Sequence, residues 1–399
     1  MGERAIECSI LRGGTSRGVF FESTALPSRR ELIEPILLNV FGSPDMRQIN
    51  GLGGATSQTS KAALISAASR PDADVDYTFA QVSIGTPLVD WGGNCGNLSS
   101  AVGPFAIDHG LVPVSEGVTT VRIHNTNTAK VIVAEVPVRD GRALVEGDYA
   151  IPGVPGTGAR IDLEFLEPAG SATGALLPTG RPSDEVTLAD GRRLHVSVVD
   201  AANPVAFLLA SELGMDGTET PLEIERRVEV TDALEEVRGI VAEWIGIVAD
   251  RADATAKSPG LPKVGMVAPP ADYTNSLGEL IRAEEMDLSG RLMSMQTAHR
   301  SYMVTGAICT GAAARVEGTV VHQVARPPLP GDRLRIANPY GVMDVRVRAE
   351  AGPVPAVSGV SVGRTARHIL DGEVFVPARL LDPAEVTGWR GGVVGRAAP

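Results

Sequence analysis

The chain reads as an α+β protein built from two similar halves that face each other across a cleft. Three observations predict this. Strand-like alternating stretches dominate both the N-terminal and the C-terminal parts. Each part also carries one glycine-flanked helical segment of small apolar residues, 97–109 and 308–314, with a cysteine at its start, Cys95 and Cys309. Finally, 45 glycines and only 4% aromatic residues fit many turns and tightly packed backbone better than long helical bundles. At 399 residues the chain exceeds one ordinary core. A Gly-, Pro- and Thr-rich tract at 151–192 marks the expected boundary. The domains expected are therefore 1–190, rejoined by the C-terminal segment 377–399, and 191–376.

The elements follow in order. Ala5 to Leu11 alternates as a strand, a glycine turn follows, and Gly18 to Phe21 forms a second strand. Ser28-Arg-Arg-Glu31 has the form of a capping box opening a helix toward Val40, with Pro35 as a possible break. Tyr77 to Ile84 is a strand. Between Val118 and Val145 strands are separated by Asn-Thr-Asn and by Asp140-Gly141, the latter a hairpin signal. Arg193 to Val199 is a strand, and a helix is expected in 220–250 with Thr231-Asp232 at its start. Lys263 to Val267 is a short strand closed by Pro269-Pro270. The 289–320 stretch reads as helical in two pieces, and strands return from Asp332 to Val376.

Composition narrows the function. A net charge of −12 argues against nucleic acid and anionic membrane surfaces, and no apolar run reaches the roughly 20 residues of a bilayer span. Three cysteines without C-x-x-C spacing support neither a disulfide framework nor a zinc site, and a reducing cytoplasm is the simplest compartment. A small anionic ligand remains compatible, provided its site is locally positive, which points to Arg12, Arg17, Lys61 and helix N-termini.

Some motifs mislead. Gly14-Thr-Ser16-Arg-Gly18 matches the nucleophile elbow of serine hydrolases, but the residues after it read as a strand where a helix is required. The same run has P-loop spacing with Val19 in place of the lysine. Gly51-Leu-Gly53-Gly54 lacks the third glycine of a dinucleotide fingerprint. Hydrolase and nucleotide readings fail together.

Two stretches remain: Gly51 to Lys61 and Asp90 to Ser99. Each sets one proton-transfer side chain among glycines, hydroxyls and amides that let backbone N–H groups approach an anion. Lys61 lies between a hydroxyl-rich loop and the apolar Ala62-Ala63-Leu64-Ile65, where partial burial would lower its pKa toward that of a base. Cys95 precedes an apolar run and would cap a helix whose dipole favours thiolate. Cys309 and His299 lean to structural roles. Candidate substrate contacts are Thr15, Ser16, Arg17, Thr56, Ser57, Ser60, Asn94, Gly96 and Asn97. Together these point to a carbon acid that is deprotonated and reprotonated beside a carboxylate.

Leu11-Arg-Gly-Gly-Thr-Ser-Arg-Gly-Val-Phe20, Gly53-Gly-Ala-Thr-Ser-Gln-Thr-Ser-Lys61 and Asp90-Trp-Gly-Gly-Asn-Cys-Gly-Asn-Leu98 resemble the signatures of the 2-methylaconitate isomerase (PrpF) family. Likeness continues through Ala201 to Pro204 and Lys263 to Pro270. The resemblance implies a diaminopimelate epimerase-like fold, each domain a curved sheet or barrel around a central helix with the active site between them. It implies an isomerase needing neither metal nor cofactor, acting on a small polycarboxylate through Lys61 and Cys95. Independently of it, a homodimer is the default assembly. 2-Methylaconitate of propionate breakdown is the leading substrate. 4-Oxalomesaconate, aconitate and methylitaconate are alternatives, as is an amino-acid racemase with facing cysteines, or a binding protein that keeps the pocket. Two departures are noted: Arg17 stands where the family often has lysine, and Lys61 takes the side that a second cysteine holds in the epimerases.

Overall fold

The structure is a computed structural model that describes residues 2–327, 331–350, 352, 354–386 and 393–394. The chain opens with β1 (Glu3–Gly13), β2 (Ser16–Glu22) and α1 (Arg30–Phe41), then β3 (Lys61–Ala67), β4 (Val75–Val82) and β5 (Val89–Asp90). Two short helices, α2 (Gly96–Ser99) and α3 (Val102–Asp108), are followed by β6 (Gly117–Asn125), β7 (Lys130–Arg139), β8 (Arg142–Ala143) and β9 (Ile161–Leu166). Next come β10 (Asp184–Thr187), β11 (Arg193–Ala201), β12 (Asn203–Leu209), α4 (Pro221–Arg226), α5 (Val228–Trp244) and α6 (Ala254–Lys257). The remainder holds β13 (Lys263–Ala268), β14 (Tyr273–Thr274), β15 (Leu280–Ile281), β16 (Leu288–Ser294), β17 (Thr297–Ala298), α7 (Val304–Ala313) and α8 (Val320–Val324). It ends with β18 (Arg333–Asn338), β19 (Gly341–Glu350), β20 (Ala356–Arg364), β21 (Ala366–Pro377) and β22 (Val393–Val394).

One hydrogen-bonded path joins most strands, in the order β21-β1-β2-β3-β4-β6-β7-β9-β20-β19-β18-β16-β13-β12-β11-β10. The strands wrap two central helices: the α2–α3 run touches β1, β2, β6 and β7, and α7 touches β11, β12, β19 and β20. Both helices belong to one apolar core with the inner faces of these strands. Outer faces are covered too. Val19, Phe21, Ala62 and Leu64 pack under α1, while Val196, Val198, Ala206 and Leu208 pack under α4 and α5. Strands buried on both faces lose the alternation of a half-exposed sheet.

That loss explains the main corrections. Ser289 to Ser294, expected as helix, belongs to β16 (Leu288–Ser294), every residue of it buried. The expected single helix 97–109 is broken near Ser100, whose hydroxyl bonds the Asn97 carbonyl at 2.7 Å. Pro104, which carries no N–H, then sits in the first turn of α3. Cys309 lies inside α7, which begins five residues earlier at Val304. Thr231 and Asp232 are interior to α5; the capping box is instead Thr220 with Glu223, opening α4. Arg29 precedes α1 without a side-chain cap, so Ser28 does not cap it, and the helix runs on through Pro35. The 151–192 tract contains β9, which joins β7 to β20. Of the segment 377–399, residues 387–392 and 395–399 lie outside the described residues; β22 within it pairs with Glu3 and Arg4 of β1. Asp140 and Gly141, at φ 54° and 73°, make the expected hairpin between β7 and β8.

Candidate active site

Strand register delivers Lys61 to the inside. It starts β3 on the same face as Ala63 and Ile65, toward the central helix, and faces Gln81 across β4. Its amine donates to Gln81 Oε1 at 2.5 Å and lies 5.1 Å from the centre of the Phe79 ring. Burial pushes the Lys61 pKa down, opposed by the nearby Cys95 and Asp90. A buried amine of this kind holds its proton less tightly than a lysine in water, which is what a general base at neutral pH needs.

Cys95 is the N-cap of α2: its sulfur accepts the Leu98 N–H at 3.4 Å and lies 3.8 Å from the Ser16 hydroxyl. Ser16 reaches it because β1 and β2 form a tight hairpin pressed against α2. Gly14 takes φ 51°, and a Cβ there would lie 2.2 Å from Asn97 Oδ1. The second central helix approaches from the other side. A Cβ on Gly96 would meet Val304 at 2.7 Å, so the N-terminal ends of α2 and α7 abut only because glycine stands between them.

Around these ends lies a pocket lined by Ser16, Lys61, Gln81, Asp90, Asn94 to Asn97, Asn203, Lys263, His299 and Met303 to Thr305, among others. Asn203 ties the two halves together: its amide group exchanges hydrogen bonds with the backbone of Asn94 and donates to Thr305 Oγ1 at 3.1 Å. Lys263 opens β13; burial pushes its pKa down to about 8, with Asp90 opposing the shift and Lys61 and Arg238 adding to it. It is the second lysine of the pocket wall, beside Lys61. Burial takes His299 down to about 4. Its Nδ1 accepts the Ser301 N–H at 3.2 Å, which leaves the proton of the neutral ring on Nε2.

Of the residues singled out from the sequence, Lys61, Cys95, Ser16, Asn94, Gly96 and Asn97 line this pocket. Thr15, Arg17, Thr56, Ser57 and Ser60 do not. The Thr15 hydroxyl accepts from Ser301. Arg17 alternates with Ser16 along β2 and lies against Gly54. The Thr56 and Thr59 hydroxyls pair with each other, the Ser57 carbonyl accepts from Gln81, and the buried Ser60 hydroxyl is held by Gln48. Arg12, expected among the local cations, braces the hairpin by donating to the carbonyls of Gly14 and Thr365. Cys309 is fully buried and donates to the Val199 carbonyl at 3.1 Å, with its pKa raised by burial. Lys263, Gln81, Asn203, Thr305 and Met295 were missed. Lys263 and Asn203 stand in stretches that carry the family likeness, but nothing local to them signals a pocket. Met295 sits at φ 53° in the β16–β17 turn, a conformation costly for a side chain and invisible to pattern reading.

Comparison with known proteins settles the family. The PrpF protein family matches residues 3–377. The chain belongs to it. A 3-methylitaconate isomerase from Eubacterium barkeri is 47% identical over 372 residues, covering 93% of this chain and 97% of that one. A 2-methyl-aconitate isomerase from Cupriavidus necator is 40% identical over 390 residues, covering 93% and 97%. The crystal structure of a methylitaconate-delta-isomerase superposes with a TM-score of 0.77 at 45% identity, covering 96% of this chain and 99% of that one. A probable proline racemase from Agrobacterium radiobacter K84, 14% identical with a TM-score of 0.54, shares the fold alone over 96% and 98% of the two chains. The protein is thus an isomerase of α+β, diaminopimelate epimerase-like fold. Among the described residues no helix is long and apolar enough to cross a membrane.

Proposed function

We propose that this member of the PrpF family moves the double bond of a small unsaturated dicarboxylate of the methylitaconate type by an allylic proton shift. The observation that carries the reading is the meeting of a buried, pKa-lowered Lys61 amine with the Cys95 thiol in one pocket. A hydrogen on a carbon flanked by an alkene and a carboxylate is acidic because its removal gives a delocalised dienolate. Neutral Lys61 takes that proton. The Cys95 thiol returns one at the far end of the allylic system, and proton transfer from the ammonium to the neighbouring thiolate restores both groups. Lys263, with the N–H groups where α2 and α7 begin, holds the carboxylates and the charge that spreads onto them.

Two observations favour a dicarboxylate. Once Lys61 acts as a neutral base, Lys263 is the only lysine or arginine left among the described pocket-lining side chains, and Asp90 lies beside it. A third carboxylate would have little to offset its charge. The identity to the methylitaconate isomerase, 47%, also exceeds the 40% to the methylaconitate isomerase. The second reading is cis–trans isomerisation of 2-methylaconitate, in which the proton returns to its original carbon after rotation. The two sides of the pocket correspond to the proposed domains, 1–190 and 191–376, and three unpaired cysteines suit a reducing cytoplasm. The test incubates the protein with 3-methylitaconate, 2-methylaconitate and 4-oxalomesaconate in D₂O under NMR. Deuterium entering the product methyl group formed from the methylene carbon of methylitaconate is expected. Turnover of methylaconitate alone would replace this reading with the second, and binding without exchange would remove both.

A further inference from the structure

We propose that His109, His368 and Asp371 form a binding site for a divalent transition cation of the zinc class, at the end of the α2–α3 run opposite Cys95. His109 Nε2 lies 3.7 Å from Asp371 Oδ1, His368 Nε2 lies 2.7 Å from the same oxygen, and the three ligand atoms are all within 4.8 Å of one another. Tetrahedral zinc, with bonds of roughly 2.0–2.2 Å, places ligand atoms about 3.4 Å apart, between the two measured separations.

Three features make this more than a cluster. Both histidines turn Nε2 inward and Nδ1 toward a carboxylate: His109 to Glu22 at 3.5 Å and His368 to Asp108 at 3.8 Å. In the structure His368 Nε2 bonds Asp371 Oδ1 at 2.7 Å, and His109 Nε2 lies 3.3 Å from the Ser9 hydroxyl, which donates to the same carboxylate oxygen. A bound cation would replace these contacts, and the carboxylates behind the imidazoles would then hold the ring protons on Nδ1. Phe105 stacks on His109 at 4.0 Å between ring centres and limits its rotation. The backbone is also shaped for the purpose. The β1–β21 register shifts between Ile10 and Leu11, so that Ile10 faces Leu370 and Leu11 faces His368. Ile369 is the extra residue, and this bulge puts His368 and Asp371, three apart, on one face of a strand where they would otherwise point to opposite sides. Finally, His109 and Asp371 open onto a cavity of about 480 Å³ whose wall includes Glu7, Glu22 and Glu373. A fourth coordination position there is accessible to water, and the field is negative.

The α2–α3 run spans Gly96 to Asp108, about 20 Å at the helical rise, so this cation would not touch the reacting atoms. It would clip β21 to the end of α3 and brace the helix run that carries Cys95. The inference does not depend on the reaction proposed above.

The test uses the full-length Cys95→Ser protein after chelator treatment, so that the active-site thiol contributes nothing, titrated with Co²⁺ and Zn²⁺. One equivalent is expected, with the intense visible absorption of tetrahedral Co²⁺, and Zn²⁺ should raise the melting temperature. His109→Ala and His368→Gln, each checked for folding by circular dichroism, should weaken binding at least tenfold. Glu22→Gln, which keeps all three ligands, should weaken it about tenfold through the outer shell. Absence of a saturable one-to-one site overturns the proposal, as does unchanged affinity in the two histidine variants.

Discussion

The two central helices carry one cysteine each. Cys95 caps the first, half-exposed, with its sulfur facing the pocket and Lys61 within hydrogen-bonding reach. Cys309 lies at the sixth residue of the second, fully buried, with its thiol spent on the Val199 carbonyl. The helices themselves occupy equivalent places, each sheathed by strands and each pointing its N-terminal end at the other. What differs is a shift of six residues, about one and two-thirds turns, along the axis. On the first helix the thiol sits at the cap, where backbone N–H groups are free; on the second it sits where every carbonyl and amide is already paired. Equivalent topology therefore gives one pocket-facing and one buried sulfur, and on the proposed reading the second acid/base position is filled from a strand, by Lys61.

The largest effect expected is from Lys61→Met. It should lower isomerisation by roughly 10³-fold or more and abolish solvent-deuterium exchange, read by NMR. Cys95→Ala should lower isomerisation comparably yet retain exchange at the first carbon. Lost exchange in Cys95→Ala with retained exchange in Lys61→Met would reverse the two roles. Cys309→Ala should leave kcat/KM within about threefold while lowering stability by about 1–2 kcal/mol in denaturant unfolding, from the lost hydrogen bond and the void. A catalytic loss there would restore the two-cysteine reading.

Lys263 sharpens the comparison from the other side of the cleft. Since its proton leaves near pH 8, KM for a carboxylate substrate should rise above that pH while kcat changes less. Lys263→Met should raise KM about tenfold at pH 7 and remove that pH dependence. His299 gives a smaller signal. Its pKa of about 4 lies below the unfolded value of 6.5, so the unfolded chain binds the proton first as pH falls. Folding stability should drop by about 3 kcal/mol between pH 6.5 and 4, and His299→Gln should flatten that part of the profile. Smallest of all, iodoacetamide near pH 8 should add one group, at Cys95. Burial blocks Cys309 and takes Cys8 up to about 11.

Much of this was legible where the physics is local. The glycine hairpin, the cysteine cap and the lysine between a hydroxyl-rich loop and an apolar run lie within a few residues of their causes. What stayed hidden depends on distant partners. β9 is unremarkable until β20, almost two hundred residues later, supplies its hydrogen bonds. β16 carries no alternation because both of its faces are covered. Lys263 is a pocket residue only because Asp90 and the α7 terminus come to it, and the meeting of His368 with Asp371 on one strand face requires a bulge that no spacing rule anticipates.

The pairing of β1 with β21 has a consequence for the birth of the molecule. Ser9 bonds Asp371 across 362 residues of sequence. As the chain is synthesised, β1 thus finds its neighbour on one side at once, in β2, and on the other only about 350 residues later, in β21. Until then a long, hydrogen-bond-hungry edge stands open, and closing so large a loop is slow. A nascent chain arrested before residue 366 should therefore present β1 to other chains, and is the stage at which a chaperone has most to offer.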